Sequence, residues 1–266
     1  DQSEKALPRA AQIATAIGVI YLILTGIWAL AYWFAGMRGF DAVAHAMTTI
    51  ATGGFSTSDG SIGHFDSIWV DYIAVAGMII GALPFVLYLK TIQGEWGALY
   101  RDTQVQWFIT AVVLIILVIA GWLWLERNAS LEHALRLAAF NIVSIITGTG
   151  YATDDFSQWG HFALPIFFFI MFVGGCAGST TCGIKVFRIQ VLYAAARTQI
   201  HHLLQPHGIF VPYYNRQPIS DEVITSVLSF FFMWFFTFCL LALGLGFLGL
   251  DFITAFSSAA SAIANV

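Results

Sequence analysis

Five long stretches almost without charge constrain what this chain can become. Ala10 to Met37, Val105 to Leu125, His161 to Ile184 and Val223 to Leu250 contain no Asp, Glu, Lys or Arg, and Ile68 to Leu89 contains only Asp71. A helix of roughly 20 apolar residues crosses the hydrocarbon core of a bilayer. Each stretch is long enough to do so. Only 10% of the chain is charged and 59% is hydrophobic, whereas a soluble domain carries about 25% charged residues. These values exclude an ordinary soluble enzyme and predict an all-α, polytopic membrane protein. The first run is too long for a signal peptide and has no charge-led segment before it, so it is expected to remain in the mature protein.

Shorter helix-like segments lie between the spans: Phe40 to Thr52, Leu131 to Thr147 and Asp251 to Asn265. They are too short to cross and read as re-entrant. Each begins near an acid, at Asp41, Glu132 or Asp251, which suits the positive end of a helix dipole. The order span, re-entrant helix, span then repeats. It divides the chain into residues 1–90, 91–197 and 223–266, with a polar linker at 198–222.

Charge gives this arrangement a direction. Arg38, Arg127 and Arg136 fall on the side from which the short helices enter. Lys5, Arg9, Lys90, Arg101, Lys185, Arg188, Arg197 and Arg216 fall on the other, which the positive-inside rule places in the cytoplasm. The outer side also collects Asp41, Asp59, Asp66, Glu126, Glu132, Asp154, Asp155 and Asp251. Singly these are ordinary solvated loop acids; together they would concentrate cations at a mouth.

Two of the short helices end alike, in Thr52-Gly53-Gly54-Phe55 and in Thr147-Gly148-Thr149-Gly150-Tyr151, and the third leads into Asn265-Val266. Irregular backbone at membrane depth is tolerated only inside protein or along water. Carbonyls along a water path can replace the hydration shell of K⁺. Glycine permits the backbone angles this needs, threonine adds hydroxyl oxygens, and the aromatic can wedge the loop. A pair of plain Gly-rich turns is the blander reading, and it leaves the repetition on one face unexplained.

The strings ATGGFST (51–57), TGTGYATDDFS (147–157), GGCAGSTTCGIKVFRI (174–189) and SAIANV (261–266) resemble the Trk/Ktr/HKT superfamily of potassium transporters, most closely the bacterial TrkH membrane subunit. The resemblance covers essentially the whole chain. It implies span–pore helix–span units of potassium-channel type around a central pore. It implies filter strands at Thr52, Gly53 and Gly54, at Gly148, Thr149 and Gly150, and at Asn265 and Val266. It further implies K⁺ uptake across a bacterial inner membrane with the filter facing outside, a homodimer, and a cytosolic nucleotide-binding regulatory subunit of TrkA type. By the family's pattern of four repeats, the first repeat and the end of the fourth are expected to lie outside this chain.

The span from His161 to Ile184 is interrupted by Gly174, Gly175, Gly178 and Gly183 with Ser179, Thr180 and Thr181, poor material for a continuous helix. Close helix packing through Gly174 and Gly178 is one reading. A mobile gate beneath the filter, ending at Lys185, is the other, and the resemblance favours it. Cys176, Cys182 and Cys239 fall inside apolar spans and read as inert buried thiols. His201, His202 and His207 lie in the polar linker without neighbouring acids or cysteines, so a metal site there is not expected. No phosphate-binding loop, resident cofactor or nucleic-acid surface is apparent. The rival functions are a Na⁺ or mixed Na⁺/K⁺ transporter, a membrane enzyme built on Asp154 and Asp155 or the histidines, and a non-conducting scaffold. The acids and the histidines fall on opposite sides, and a scaffold does not account for the repeated loops.

Overall fold

The charge-free runs fold as helices, in a computed structural model that describes residues 2–127 and 129–266 and the side chains of 11–126 and 129–266. The helices are α1 (Gln2–Phe34), α2 (Gly39–Ile50), α3 (Ile68–Gly81), α4 (Phe85–Ile92), α5 (Ala98–Arg101), α6 (Thr103–Arg127), α7 (Leu131–Ile146), α8 (Ala163–Ile170), α9 (Val186–Leu204), α10 (Asp221–Phe247) and α11 (Phe252–Ala264). Within α1, α6 and α10, the stretches Ala11–Phe34, Thr103–Glu126 and Asp221–Phe247 are long and apolar enough to cross a membrane. They leave large apolar side chains outside: Leu22, Ile23 and Ile27 on α1, and Phe232, Phe235 and Leu243 on α10. Such a surface suits lipid.

The Ile68 to Leu89 stretch departs from the expected single span. It breaks after Gly81 into α3 and α4, which meet at 89°. Pro84 explains the break, because it has no N–H for the helix ladder and disfavours helical angles in the residue before it.

The short helices α2, α7 and α11 each pack against the long helix beside them, α1, α6 and α10 in turn. Tyr32, Met78, Phe108, Phe140 and Val143 form one apolar cluster between α1, α3, α6 and α7. Ile119, Leu123, Ile142, Trp159 and Phe167 form a second. Phe238 and Ala242 of α10 meet Ala259 and Ala260 of α11 in a third. The starts of the short helices carry the expected acids or caps. Ser130 accepts from the His133 N–H at 3.3 Å, and Asp251 accepts from the Thr254 N–H at 3.2 Å.

Asp71, the lone charge in its span, is matched. Its carboxylate lies 2.6 Å from the Arg136 guanidinium on α7, tying α3 to the neighbouring pore helix. Residues 198–222 also depart from a plain linker. α9 continues through Leu204, and β1 (Tyr213–Tyr214) pairs antiparallel with β2 (Gln217–Pro218). Asn215 and Arg216 form the tight turn, both at positive φ, the requirement of a two-residue hairpin. Cys182 is exposed rather than buried, because it lies in the irregular loop between α8 and α9.

Candidate functional site

Helices α2, α7 and α11 end in one recurring arrangement. The N–H groups of Gly53, Thr149 and Val266 donate to the carbonyls of Thr48, Ser144 and Ser261 at 2.7, 2.9 and 3.2 Å. The hydroxyls of the same three residues reach forward to the loop that follows. Thr48 donates to the Phe55 carbonyl at 2.9 Å, Ser144 to the Tyr151 carbonyl at 2.6 Å, and Ser261 to the Val266 carbonyl. Residues Thr52, Gly148 and Asn265, four positions after these hydroxyls, all take positive φ, as do Gly54 and Gly150 two positions further on. Gly53 and Thr149 between them do not. Alternating the sign of φ swings successive peptide planes so that their carbonyls share a side, a geometry open to glycine at little steric cost.

The three loops are neighbours. A β-carbon added to Gly54 would meet the Thr149 carbonyl oxygen at 1.7 Å. One on Gly148 would lie 3.5 Å from the Asn265 oxygen, and one on Gly150 would lie 3.6 Å from the Val266 carbonyl carbon. Thr52–Gly54, Gly148–Gly150 and Asn265–Val266 therefore stand side by side in chain order. The oxygens they offer are main-chain carbonyls and threonine hydroxyls, the chemistry suited to a hard monovalent cation.

The interrupted span supplies a loop directly against these three strands. Val173 and Ile184 form a parallel bridge that closes it at its base. Thr180 donates through its hydroxyl to the carbonyls of Ile50 and Gly81, each at 3.0 Å, and accepts from the Thr52 hydroxyl at 3.2 Å. The Cys182 N is 3.7 Å from where a Gly148 β-carbon would stand, and the Asn265 amide donates to the Cys182 sulfur at 3.2 Å. One loop thus touches the first residue of each strand. It also satisfies the backbone that the α3–α4 break leaves open. Cys176 N–H donates to the Ala82 carbonyl, and Phe85 N–H to the Gly178 carbonyl, both at 3.0 Å. Inside the loop, the Gly175 N–H donates to the Thr181 hydroxyl at 3.0 Å. The Lys185 ammonium donates to the Thr181 carbonyl and, at 3.1 Å, to its hydroxyl, with Ser179 Oγ at 3.4 Å.

The acids that the sequence places on the side of the short-helix starts carry local structural bonds. Asp41 accepts from the Thr57 hydroxyl at 2.8 Å and from Arg38 at 3.0 Å. Asp154 accepts from the Trp159 indole at 2.8 Å. Hydrogen bonds from Ser157 and Gln158 hold the Asp155 carboxyl below its usual range, and those from Thr254 do the same for Asp251. Among the described residues no three His, Cys, Asp or Glu side chains converge as metal ligands.

A family model described as TrkH, cation transport protein, matches residues 2–266. The chain belongs to the TrkH family. It is 45% identical over 270 residues to the Trk system potassium uptake protein TrkI of Halomonas elongata, covering 100% of this chain and 54% of that protein. It is 32% identical to the Trk system potassium uptake protein TrkH of Salmonella typhimurium, covering 55% of it. The crystal structure of the potassium transporter TrkH from Vibrio parahaemolyticus superposes with a TM-score of 0.91 at 35% identity, over 96% of this chain and 56% of that one. The chain thus spans about half the length of the curated relatives it matches.

All the filter and loop residues singled out from the TrkH-like strings come together in space. What those strings did not single out are the hydroxyls behind the three strands, Thr48, Ser144 and Ser261. Their signal was present. In TTIATGGF, SIITGTGY and SAIANV a Ser or Thr stands four residues before the turn, where a helical residue can reach both the last turn and the loop beyond. The docking of the gate-like loop on Gly81, Ala82 and Phe85 carries no comparable local mark.

Proposed function

We propose that this chain carries the ion path of a potassium-uptake protein of the bacterial cytoplasmic membrane, like the Trk system relatives it resembles. K⁺ gathers at the acidic outer mouth and exchanges its water for oxygens of Thr52, Gly53, Gly54, Gly148, Thr149, Gly150, Asn265 and Val266. It then passes the loop formed by Gly174, Gly175, Gly178, Ser179, Thr180, Thr181 and Gly183 and anchored by Lys185. No bond of the cation's carrier is made or broken, so the activity is transport and not enzymatic catalysis. The working assembly in this reading is a homodimer, surrounded by lipid and governed from the cytoplasm by a nucleotide-binding subunit of TrkA type.

The observation that carries the reading is the threefold recurrence of one backbone-bonded turn, at Thr48–Gly53, Ser144–Thr149 and Ser261–Val266, with the turns side by side, the first two sharing a hydroxyl clasp seven residues ahead and the third clasping five ahead. Ordinary surface turns have no reason to share both backbone signs and hydroxyl clasps. The test is ⁸⁶Rb⁺ uptake by the intact protein in vesicles, with Na⁺ as competitor and Gly150→Ser beside wild type. Reduced uptake and altered K⁺ over Na⁺ preference in the variant support the filter. Unchanged uptake and preference reject it.

A further inference from the structure

Tyr151 and Phe55 occupy matching places in the second and first loops, yet they are used differently. Phe55 is 78% exposed, whereas Tyr151 is 2% exposed. The Tyr151 ring lies behind the first pore helix, with its hydroxyl 2.5 Å from the Thr48 hydroxyl and 3.2 Å from the His45 carbonyl. A second hydroxyl, that of Thr49, is 3.3 Å away. Thr48 in turn donates to the Phe55 carbonyl. The one Thr48 proton also has the Ala44 and His45 carbonyls within reach, at 3.1 and 3.3 Å, and Tyr151 has both the Thr48 hydroxyl and the His45 carbonyl as partners. A continuous hydrogen-bonded chain thus joins the Tyr151 hydroxyl, the Thr48 hydroxyl and the carbonyl that closes the first loop. At its other end Tyr151 is held by Ser144, which donates to its carbonyl at 2.6 Å. The second loop is therefore anchored through Tyr151 to the helix behind the first, beside the Gly54–Thr149 contact.

We infer that Tyr151 is a positioning residue whose hydroxyl, through Thr48, sets the spacing of the first two loops and with it the preference for K⁺ over Na⁺. The inference rests on the filter reading above. K⁺ and Na⁺ differ in radius by a fraction of an ångström, so oxygens discriminate between them only if their separation is held. The buried Thr48–Tyr151 pair supplies a cross-loop tie at this junction. The ring alone fills space, but the hydroxyl fixes distance.

The test measures Rb⁺ and Na⁺ uptake by the intact protein in vesicles. Tyr151→Phe keeps the buried ring and removes the tie; Thr48→Val removes it from the other side; Thr48→Ser restores it. Each of the first two should lower the K⁺ over Na⁺ preference by about 5- to 10-fold, the worth of one neutral hydrogen bond. The double variant should be no worse than either single one, and Thr48→Ser should stay near wild type. An unchanged preference in folded Tyr151→Phe overturns the inference. So does an additive double variant, which would mean that the two hydroxyls act separately. Should Tyr151→Phe not fold, Thr48→Val against Thr48→Ser reads the same contact. Gly54→Ala serves as the control for the filter itself. If it too leaves preference unchanged, the filter reading fails and the tie falls with it; if it alone changes preference, only the tie is refuted.

Discussion

The main chain of Gly54 lies against the Thr149 carbonyl so closely that a β-carbon on Gly54 would stand 1.7 Å from that oxygen. Gly54 also sits at φ +69°, where an L-residue costs roughly 1–2 kcal/mol. Gly150 shares the positive φ, but its nearest neighbour would be 3.6 Å away. The two glycines should therefore differ in tolerance. Gly54→Ala must displace the second loop and is expected to lower Rb⁺ uptake by more than about 30-fold, while Gly150→Ala carries the conformational cost alone, about 5- to 30-fold. Side-by-side uptake at equal amounts of vesicle protein checks the order, and Gly150→Ala proving the more harmful would contradict it.

Thr180 connects the loop below the strands to both α2 and α3. Its hydroxyl serves the Ile50 and Gly81 carbonyls and accepts from Thr52. Thr180→Val keeps the volume and removes all three contacts, so the loop should leave this position more readily. Uptake should rise by several-fold, and shortening 174–183 should raise it further. A loss of uptake with the protein still folded would mean that the loop packs the path rather than blocks it.

Much of this architecture is legible from the chain alone, for a physical reason. Lipid tolerates neither charge nor unpaired backbone, so charge-free runs mark spans and Gly-Thr turns mark places shielded from lipid. The break at Pro84 escaped the same reasoning, although the proline is plain to see. Hydropathy is blind to a bend, and this bend is sustained by a loop about ninety positions later that bonds Gly81, Ala82 and Phe85. Cys182 was misread as buried for a related cause, since it belongs to an apolar run that does not continue as helix. The Tyr151–Thr48 contact joins residues from different repeats, and no local pattern in either string announces which aromatic will turn inward.

Asp71 and Arg136 form the ion pair that links α3 to α7 at 2.6 Å, with both side chains largely shielded from solvent. Arg136 has a second partner in Glu132 at 3.2 Å, while among the described residues the Asp71 carboxylate forms its ion pair with Arg136 alone. Removing one member of a buried pair strands the other and typically costs about 3–5 kcal/mol, whereas replacing both by apolar residues is often neutral or stabilising. Arg136→Met, which leaves Asp71 unmatched, should thus lower the melting temperature of the solubilised protein more than Asp71→Asn does. The double variant should recover part of the loss. Raising salt should change little, because the pair is screened from the solution.

Asp251 offers a check on the third pore helix that depends on pH. Its carboxylate caps α11 by accepting from Thr254, and these bonds lower its pKa in the folded protein. The unfolded value is about 3.9. A carboxyl with a depressed folded pKa contributes stability that is complete above the unfolded value and disappears as pH falls through the folded one. Asp251→Ala should therefore melt below wild type at neutral pH, and the gap should narrow in acid, from about pH 4 downward. Asp251→Asn keeps an acceptor at the cap without a titrating proton, so its melting temperature should stay near wild type at neutral pH and should not share that particular acid dependence. A gap between Asp251→Ala and wild type that is equally wide at neutral pH and at pH well below the carboxylate range would show that the side chain acts through packing and not through its charge.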